Sequence, residues 1–422
     1  MVIYYLMNIL IYTHSWFPKI DGVTIRYKNI IDYLKENHNV HLVTPDDGNR
    51  VSTYEGIKIK KINGLQLPEI CRDDNPEVIL PDLRNSFTLF NDLKNYCIEN
   101  KIDVIHVSAP DLIIPIFHLI SNHLKIPVMS IYHTDVLEYL KISNKSYFMK
   151  IIAWLVHLTS MYSLFDCFGT TSPLMAKKIQ DYKFYLSKEP VWLLPPSINT
   201  ELFKPSEKKY IDQWVDNTVK LLYIGRITKE KSIDRILEAM DESMSLIIIG
   251  YGGAVDNLTN IAKIRKLNVK FISTIEQSEL SEWYSSCDIF VMPSSSETLG
   301  FVTLEAMACG CLVSGYSAGG TLDLIKHKNN GLFFKNKKEL TENINFFKNN
   351  NNKNNLILEI KNNAISFSSS KNINNSCDKL LYKYKELVKN KKQQNESWLY
   401  TIFIEIILKL IIFSNQIFNK LI

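Results

Sequence analysis

The stretch Pro293-Ser294-Ser295-Ser296-Glu297-Thr298-Leu299-Gly300-Phe301-Val302-Thr303-Leu304-Glu305-Ala306-Met307-Ala308-Cys309-Gly310 decides the fold class. The apolar run before it, Ile289-Phe290-Val291-Met292, reads as a buried strand that stops at Pro293 and a serine-rich turn. The pattern predicts a helix beginning near Gly300 and ending near Gly310. Strand, loop and helix in that order expose a helix N-terminus, whose amides and dipole attract anions, and glycine at 300 lets a ligand approach the backbone. Glu297 falls in the loop and Glu305 inside the helix. One carboxylate can then meet a ligand at the helix mouth and the other from the first turns. Two acids flanking an anion-binding turn suggest a sugar nucleotide, with hydroxyls for the carboxylates and diphosphate for the amides.

Working outward, the same strand-loop-helix unit recurs. Residues 8–12 read as a first buried parallel strand, followed by Pro18 and Asp21-Gly22-Val23, a helical stretch over about 24–36 and a strand over 40–43. That is the opening of an α/β nucleotide-type domain, although the loop at Gly22 is not a G-x-G-x-x-G fingerprint. Residues 104–107 and 127–131 read as further strands, the second ending in Tyr132-His133-Thr134-Asp135. Ligands of open α/β sheets gather beyond the carboxyl ends of strands, which makes His133 a candidate. A turn-rich segment, 193–205, reads as the interdomain linker. Beyond it a strand over 219–224 leads into Gly225-Arg226, with Lys231 five residues after the arginine. Two cations so spaced on a loop and a helix start can serve one diphosphate. The strand over 246–249 ends in Gly250-Tyr251-Gly252-Gly253, the strand over 269–272 follows, and Ser317-Ala318-Gly319-Gly320 closes the series.

The spacing Glu297-x7-Glu305, with Pro293-Ser294 before it and Gly300 and Ala306 in their places, resembles the signature of the family-4 retaining glycosyltransferases. The loop at Gly22, the segment Gly225-Arg226 to Glu230-Lys231 and the loop at Gly250 match that family in order and spacing. The segment 197–203 resembles the family's G-V-D-x-x-x-F hinge, with Ser197 in place of the glycine and Asn199 in place of the aspartate. The resemblance implies a GT-B fold, two Rossmann-like α/β domains with parallel sheets facing across a cleft. The expected domains are residues 1–196 on the acceptor side, 197–395 binding the nucleotide sugar, and an apolar helix at 396–422. It further implies a catalytic set of His133, which contacts the transferred sugar, with Glu297, Arg226 and Lys231. Donor contacts are expected from Gly22, Arg226, Lys231, Gly250, Leu299, Gly300, Phe301 and Glu305. Retention in this family is explained by front-face attack in which the leaving phosphate helps to deprotonate the acceptor, and Glu297 then positions the sugar and stabilises charge.

Arg26-Tyr27-Lys28-Asn29, Tyr132-His133-Thr134-Asp135 with Tyr139, and the 297–305 segment look like the sulfolipid synthase subgroup. That resemblance implies UDP-sulfoquinovose as donor and diacylglycerol as acceptor, with α-mannosyl or α-glucosyl transfer to a lipid or glycan as the alternative. A catalytically silent binding or regulatory module is a third reading, disfavoured because no motif residue is lost.

Composition sets the outer bounds. At 422 residues, 46% hydrophobic and 22% charged, the chain is long enough for two globular domains. The net charge of +5 suits a phosphate-bearing partner or an anionic membrane surface, and follows first from a Lys- and Asn-rich composition; no nucleic-acid partner is expected. Seven scattered cysteines form no zinc-ligand pattern and read as reduced thiols. With no Asp-x-Asp in the chain, neither a catalytic metal nor any other cofactor is expected. The N-terminus lacks a basic leader and a cleavage site, so no secretory signal peptide is expected. Residues 147–165 read as an apolar helix packed in a domain or lying on a membrane, interrupted by Lys150 and His157, and 349–355 as a low-complexity loop or frayed helix end. Residues 398–413 carry a polar stripe of Thr401, Glu405 and Lys409 on an apolar helix, the pattern of an in-plane membrane helix or of one buried against the first domain. A peripheral protein on a cytosolic or plastid-stromal membrane face is therefore expected.

Overall fold

A computed structural model of the chain describes residues 6–19, 21–46, 48, 50–66, 79–135, 157, 165–181, 190–350 and 355–390. Two compact units divide it. Among the described residues, the first comprises those from Leu6 to Leu194 together with Cys377–Asn390, and the second those from Pro195 to Ser376. The crossing at Leu194 falls within the turn-rich 193–205 segment.

In the first unit the strands are β1 (Asn8–Tyr12), β2 (Asn39–Asp46), β3 (Thr53–Tyr54), β4 (Ile57–Gln66), β5 (Ile79–Pro81), β6 (Val104–Ala109), β7 (Val128–Tyr132), β8 (Cys167–Thr170) and β9 (Trp192–Leu193). They lie in the order β3-β4-β2-β1-β6-β7-β8-β9, with β5 on β4. β1 is central and parallel to both neighbours, Ile9 standing opposite Val40 and Val104. Its residues from Ile9 to Tyr12 are buried, as expected of a strand covered on both faces, and this is why it reads as a continuous apolar run. Strand order reverses across β1 and β6, and the crevice beyond their carboxyl ends is the place where such a sheet takes a ligand.

The helix after β1 spans Gly22–Leu34, two residues earlier at each end than the periodicity suggests. Asp21 is the reason: its carboxylate accepts from the amides of Val23 and Thr24 and caps the first turn.

The second unit holds a six-stranded parallel sheet, β12-β11-β10-β13-β14-β15. Its members are β10 (Val219–Ile224), β11 (Met244–Ile249), β12 (Asn268–Ile272), β13 (Ile289–Met292), β14 (Leu312–Tyr316) and β15 (Leu332–Phe334). Successive residues of β10 feed opposite cores. Leu221 and Tyr223 pack with Ile236, Leu237 and Leu340 on one face, while Leu222 and Ile224 pack with Tyr284 and Leu304 on the other. The order reverses between β10 and β13. Arg226, Lys231 and Glu297 are on the two loops that leave those strands, so the sheet topology itself gathers the loops that the sequence singles out.

The helix Ile373–Asn390 carries a buried stripe of Cys377, Leu380, Tyr384 and Leu387, spaced to face one side. From Cys377 on its residues count with the first unit, whereas the sequence reading keeps the second domain to 395. The six described cysteines are buried and unbridged. Among the described residues no helix is long and apolar enough to cross a membrane. The expectations for Tyr139, for 396–422 and for 147–165 (apart from His157 and Phe165) lie outside the described residues, as does most of the 349–355 tract.

Candidate active site

In the second unit the decisive element is the helix Phe301–Ala308. Gly300 is its N-cap, in the left-handed region at φ 80° and ψ 63°, and supplies no capping side chain. The first helix of the chain is different, because Asp21 already fills its N-terminus. A carboxylate thus occupies the amide site beside Gly22, whereas at Gly300 no carboxylate stands on the first turn.

Glu297 lies in the loop before that helix, and its Oε1 accepts from Lys231 Nζ; both side chains are mostly buried. Arg226 stands at 3.5 Å from Glu230 Oε1 and keeps a third of its side chain exposed. The two predicted phosphate cations are therefore each matched by a glutamate. Sequence spacing shows the cations; only the fold shows the Lys231–Glu297 pair, 66 residues apart in the chain. Lys231 belongs to a single 3-10 turn, Lys229–Lys231, and the helix proper starts later, at Asp234.

The loops are tied by backbone. Ser294 Oγ donates to the Glu230 carbonyl at 3.3 Å, the Gly320 amide donates to the Glu297 carbonyl at 2.6 Å, and Tyr223 Oη donates to the Arg226 carbonyl at 2.8 Å. Arg235 adds a clamp the sequence does not announce, donating to the Pro293 carbonyl at 2.7 Å while its guanidinium lies 4.0 Å over the Tyr316 ring. Gly250 has φ 145°, and a Cβ there would sit 1.9 Å from the Gly225 carbonyl oxygen. The glycine is demanded by this backbone crossing, which sets the loop of Arg226. Leu299 is buried and Phe301 half-buried at the helix mouth. Glu305 is buried inside the helix; Tyr284 Oη donates to its Oε2 at 2.9 Å, and burial pushes its carboxyl up to about 7.

In the first unit His133 directly follows β7, its amide donating to the Ala109 carbonyl at 2.8 Å. Its Nε2 is 3.0 Å from Tyr27 Oη, and Tyr27 Oη is 3.1 Å from His106 Nε2. Burial foremost, and then the Arg26 charge, hold His133 well below the ordinary histidine range, so it is neutral. Gly22 is exposed as the first residue of its helix. His14 Nδ1 lies 3.1 Å from Asp111 Oδ2, which also accepts from Tyr12 Oη at 3.1 Å. Tyr27 and His106 are given no site role by the sequence. Tyr27 stands there only within the segment Arg26-Tyr27-Lys28-Asn29 and among the buried positions Thr24, Tyr27, Ile31 and Leu34, and His106 only as a polar residue inside an apolar strand. Among the described residues no group of three or more His, Cys, Asp or Glu side chains converges on a metal position.

Two family models match the chain: Glycosyltransferase Family 4 over residues 20–202 and Glycosyl transferases group 1 over 206–366. A sulfoquinovosyl transferase of Arabidopsis thaliana is 27% identical over 325 residues, covering 75% of this chain and 61% of that protein. The alignment thus takes in less than two thirds of that relative. The alpha-monoglucosyldiacylglycerol synthase of Streptococcus pneumoniae is 26% identical over 349 residues, covering 78% of this chain and 75% of the other. Among solved structures, sucrose-phosphate synthase from Thermosynechococcus elongatus superposes with a TM-score of 0.74 at 18% identity, over 90% of this chain and 99% of that one. The Anabaena protein HepE, solved with UDP-glucose, gives a TM-score of 0.68 at 17% identity, over 90% of this chain and 100% of its own.

Proposed function

The chain belongs to the family-4 glycosyltransferases and has the GT-B fold, and from that premise we propose that it moves a sugar, with retention, from a nucleotide-diphosphate donor to a lipid hydroxyl. The observation that carries the reading is the Lys231–Glu297 pair beside the Gly300 helix mouth. Charge grows on the leaving diphosphate as the glycosidic bond breaks, and fixed cations and amides that meet it there lower the barrier without reorganising. Arg226 and Lys231 take the diphosphate, with the backbone around Leu299, Gly300 and Phe301 and the loop at Gly250; the Asp21 carboxylate already fills the amides beside Gly22. Glu305 binds the nucleoside side of the donor. Glu297 orients the sugar and stabilises positive character at its anomeric carbon. His133 contacts the transferred sugar.

In its finer form the proposal is transfer of sulfoquinovose from UDP-sulfoquinovose to diacylglycerol, in sulfolipid synthesis at a cytosolic or plastid-stromal membrane face. The likeness to the Arabidopsis sulfoquinovosyl transferase and the apolar 398–413 segment support it. A second reading, α-glucosyl or α-mannosyl transfer to a lipid, draws on one observation. A neutral His133 supplies a hydrogen bond but no charge, which suits an uncharged hexose hydroxyl better than a sulfonate.

The test is a donor panel. The purified full chain is incubated with radiolabelled UDP-sulfoquinovose, UDP-glucose or GDP-mannose and vesicles containing diacylglycerol. Label entering the lipid phase from UDP-sulfoquinovose is the expected result. Label from UDP-glucose or GDP-mannose alone selects the second reading. No lipid label from any donor overturns both.

A further inference from the structure

His133 ends a buried chain of four side chains, the other three coming from three different elements. Tyr384, on the helix Ile373–Asn390, meets His106 Nδ1; His106, in β6, presents Nε2 to Tyr27 Oη at 3.1 Å; and Tyr27, on the first helix, meets His133 Nε2 at 3.0 Å. Tyr27, His106 and Tyr384 are fully buried and His133 nearly so, and in such low-dielectric surroundings each polar atom must find its partner within the network.

Hydrogen-bond directionality along such a chain is fixed by its end. Among the described residues the Tyr384 hydroxyl has one hydrogen-bond partner, His106 Nδ1. A buried hydroxyl that accepts there would leave its own proton unsatisfied, so Tyr384 donates. A neutral imidazole carries one N–H. His106 Nδ1 accepts and Nε2 therefore bears the proton and donates to Tyr27 Oη. The Tyr27 hydroxyl proton is then directed to His133 Nε2. We propose that Tyr384, acting through His106 and Tyr27, sets His133 in the Nδ1–H tautomer, so that His133 presents a hydrogen-bond donor to a substrate oxygen.

Burial keeps both rings neutral, holding His106 down to about 3 and His133 well below its ordinary range. The chemical consequence is specific. His133 offers an N–H to a lone pair, a role met by a sugar hydroxyl oxygen, and at neutral pH neither withdraws a proton nor contributes charge. Tyr27, His106 and Tyr384 are positioning residues. The inference rests on the reading of His133 as a sugar contact, and the two fail separately.

The experiment is nitrogen NMR of the full chain with ¹⁵N-histidine, His133 being assigned by the resonances lost in His133→Gln. Wild-type protein is expected to show His133 with Nδ1 protonated and Nε2 as acceptor. Tyr384→Phe is expected to release His106 and move His133 toward the Nε2–H form, with kcat falling on the order of tenfold and donor KM held, as for loss of one directed hydrogen bond. Tyr27→Phe should do the same more directly. A His133 that is Nε2–H in the wild-type protein overturns the proposal without any variant. So does a Tyr384→Phe protein that folds and keeps the wild-type tautomer. If the tautomer moves as expected but His133→Gln keeps full turnover, the relay stands and the sugar-contact role of His133 falls.

Discussion

At the scale of single residues the site is a balance of charges more than a cluster of cations. Lys231 is matched by Glu297 and Arg226 by Glu230, so the unliganded loops offer a diphosphate less net attraction than two unmatched cations would. Glu297→Gln removes one of the anions. We expect it to tighten binding of the nucleoside diphosphate while cutting kcat by about 10²–10³, the usual cost of losing a group that stabilises the transition state. Calorimetric titration with UDP alongside turnover separates the two effects, and parallel losses of both would contradict this assignment. Lys231→Ala should weaken donor binding, a charge-assisted contact being worth about 1.5–3 kcal/mol. Glu305 predicts a pH dependence. Its carboxyl is raised by burial to about 7, above its unfolded value, so the proton is held in the native state and native stability declines as pH rises through that range. A carboxylate accepts donor hydroxyls better than a carboxylic acid does. UDP affinity should therefore climb from pH 6 to pH 8, approaching about tenfold per unit below the pKa, and flatten in Glu305→Gln. A flat wild-type profile would remove Glu305 from the donor site.

At the scale of elements, the loops that carry the site are held by contacts between backbones. Gly250 meets the Gly225 carbonyl, and Gly320 meets the Thr298 carbonyl, where a Cβ would approach to 2.3 Å. Either glycine changed to alanine must push a site loop away. The expected outcome is a loss of about 1–3 kcal/mol, read as a lower melting temperature, together with weaker UDP binding. Gly48→Ala is the control: its φ of 102° is unfavourable for alanine, but nothing stands within 4 Å, so stability falls while UDP binding holds. These elements also show how far the sequence reaches. The apolar runs 289–292 and 219–224 are legible because strands covered on both faces are apolar at every position. Asp21 as a cap is legible in principle from its place before the helix, and moves the helix start to Gly22. The Lys231–Glu297 pair, the Arg235 clamp and the Tyr27–His106 contact are not legible, since each joins residues brought together only by strand order. For Gly250 the sequence suggests a ligand loop, and the fold supplies a packing reason for the same glycine.

At the scale of the molecule, strand order does the selecting. Each unit reverses its order about a central strand. In the second, Arg226, Lys231 and Glu297 follow the two strands at the reversal, β10 and β13; in the first, His133 follows β7, the strand next to β6, and bonds the end of β6 through the Ala109 carbonyl. The helix Ile373–Asn390 brings the chain back to the first unit from Cys377, a return that the Asn- and Lys-rich stretch before it obscures in the sequence, since its apolar stripe is only four residues long. The central claim is glycosyl transfer with retention, and product stereochemistry tests it most directly. The full chain is supplied with an α-linked UDP-sugar and diacylglycerol vesicles, and the anomeric configuration of the glycolipid is read by proton NMR while released UDP is counted. An α-glycoside formed one for one with UDP is expected; a β-glycoside, or UDP released with no glycolipid, would contradict transfer with retention.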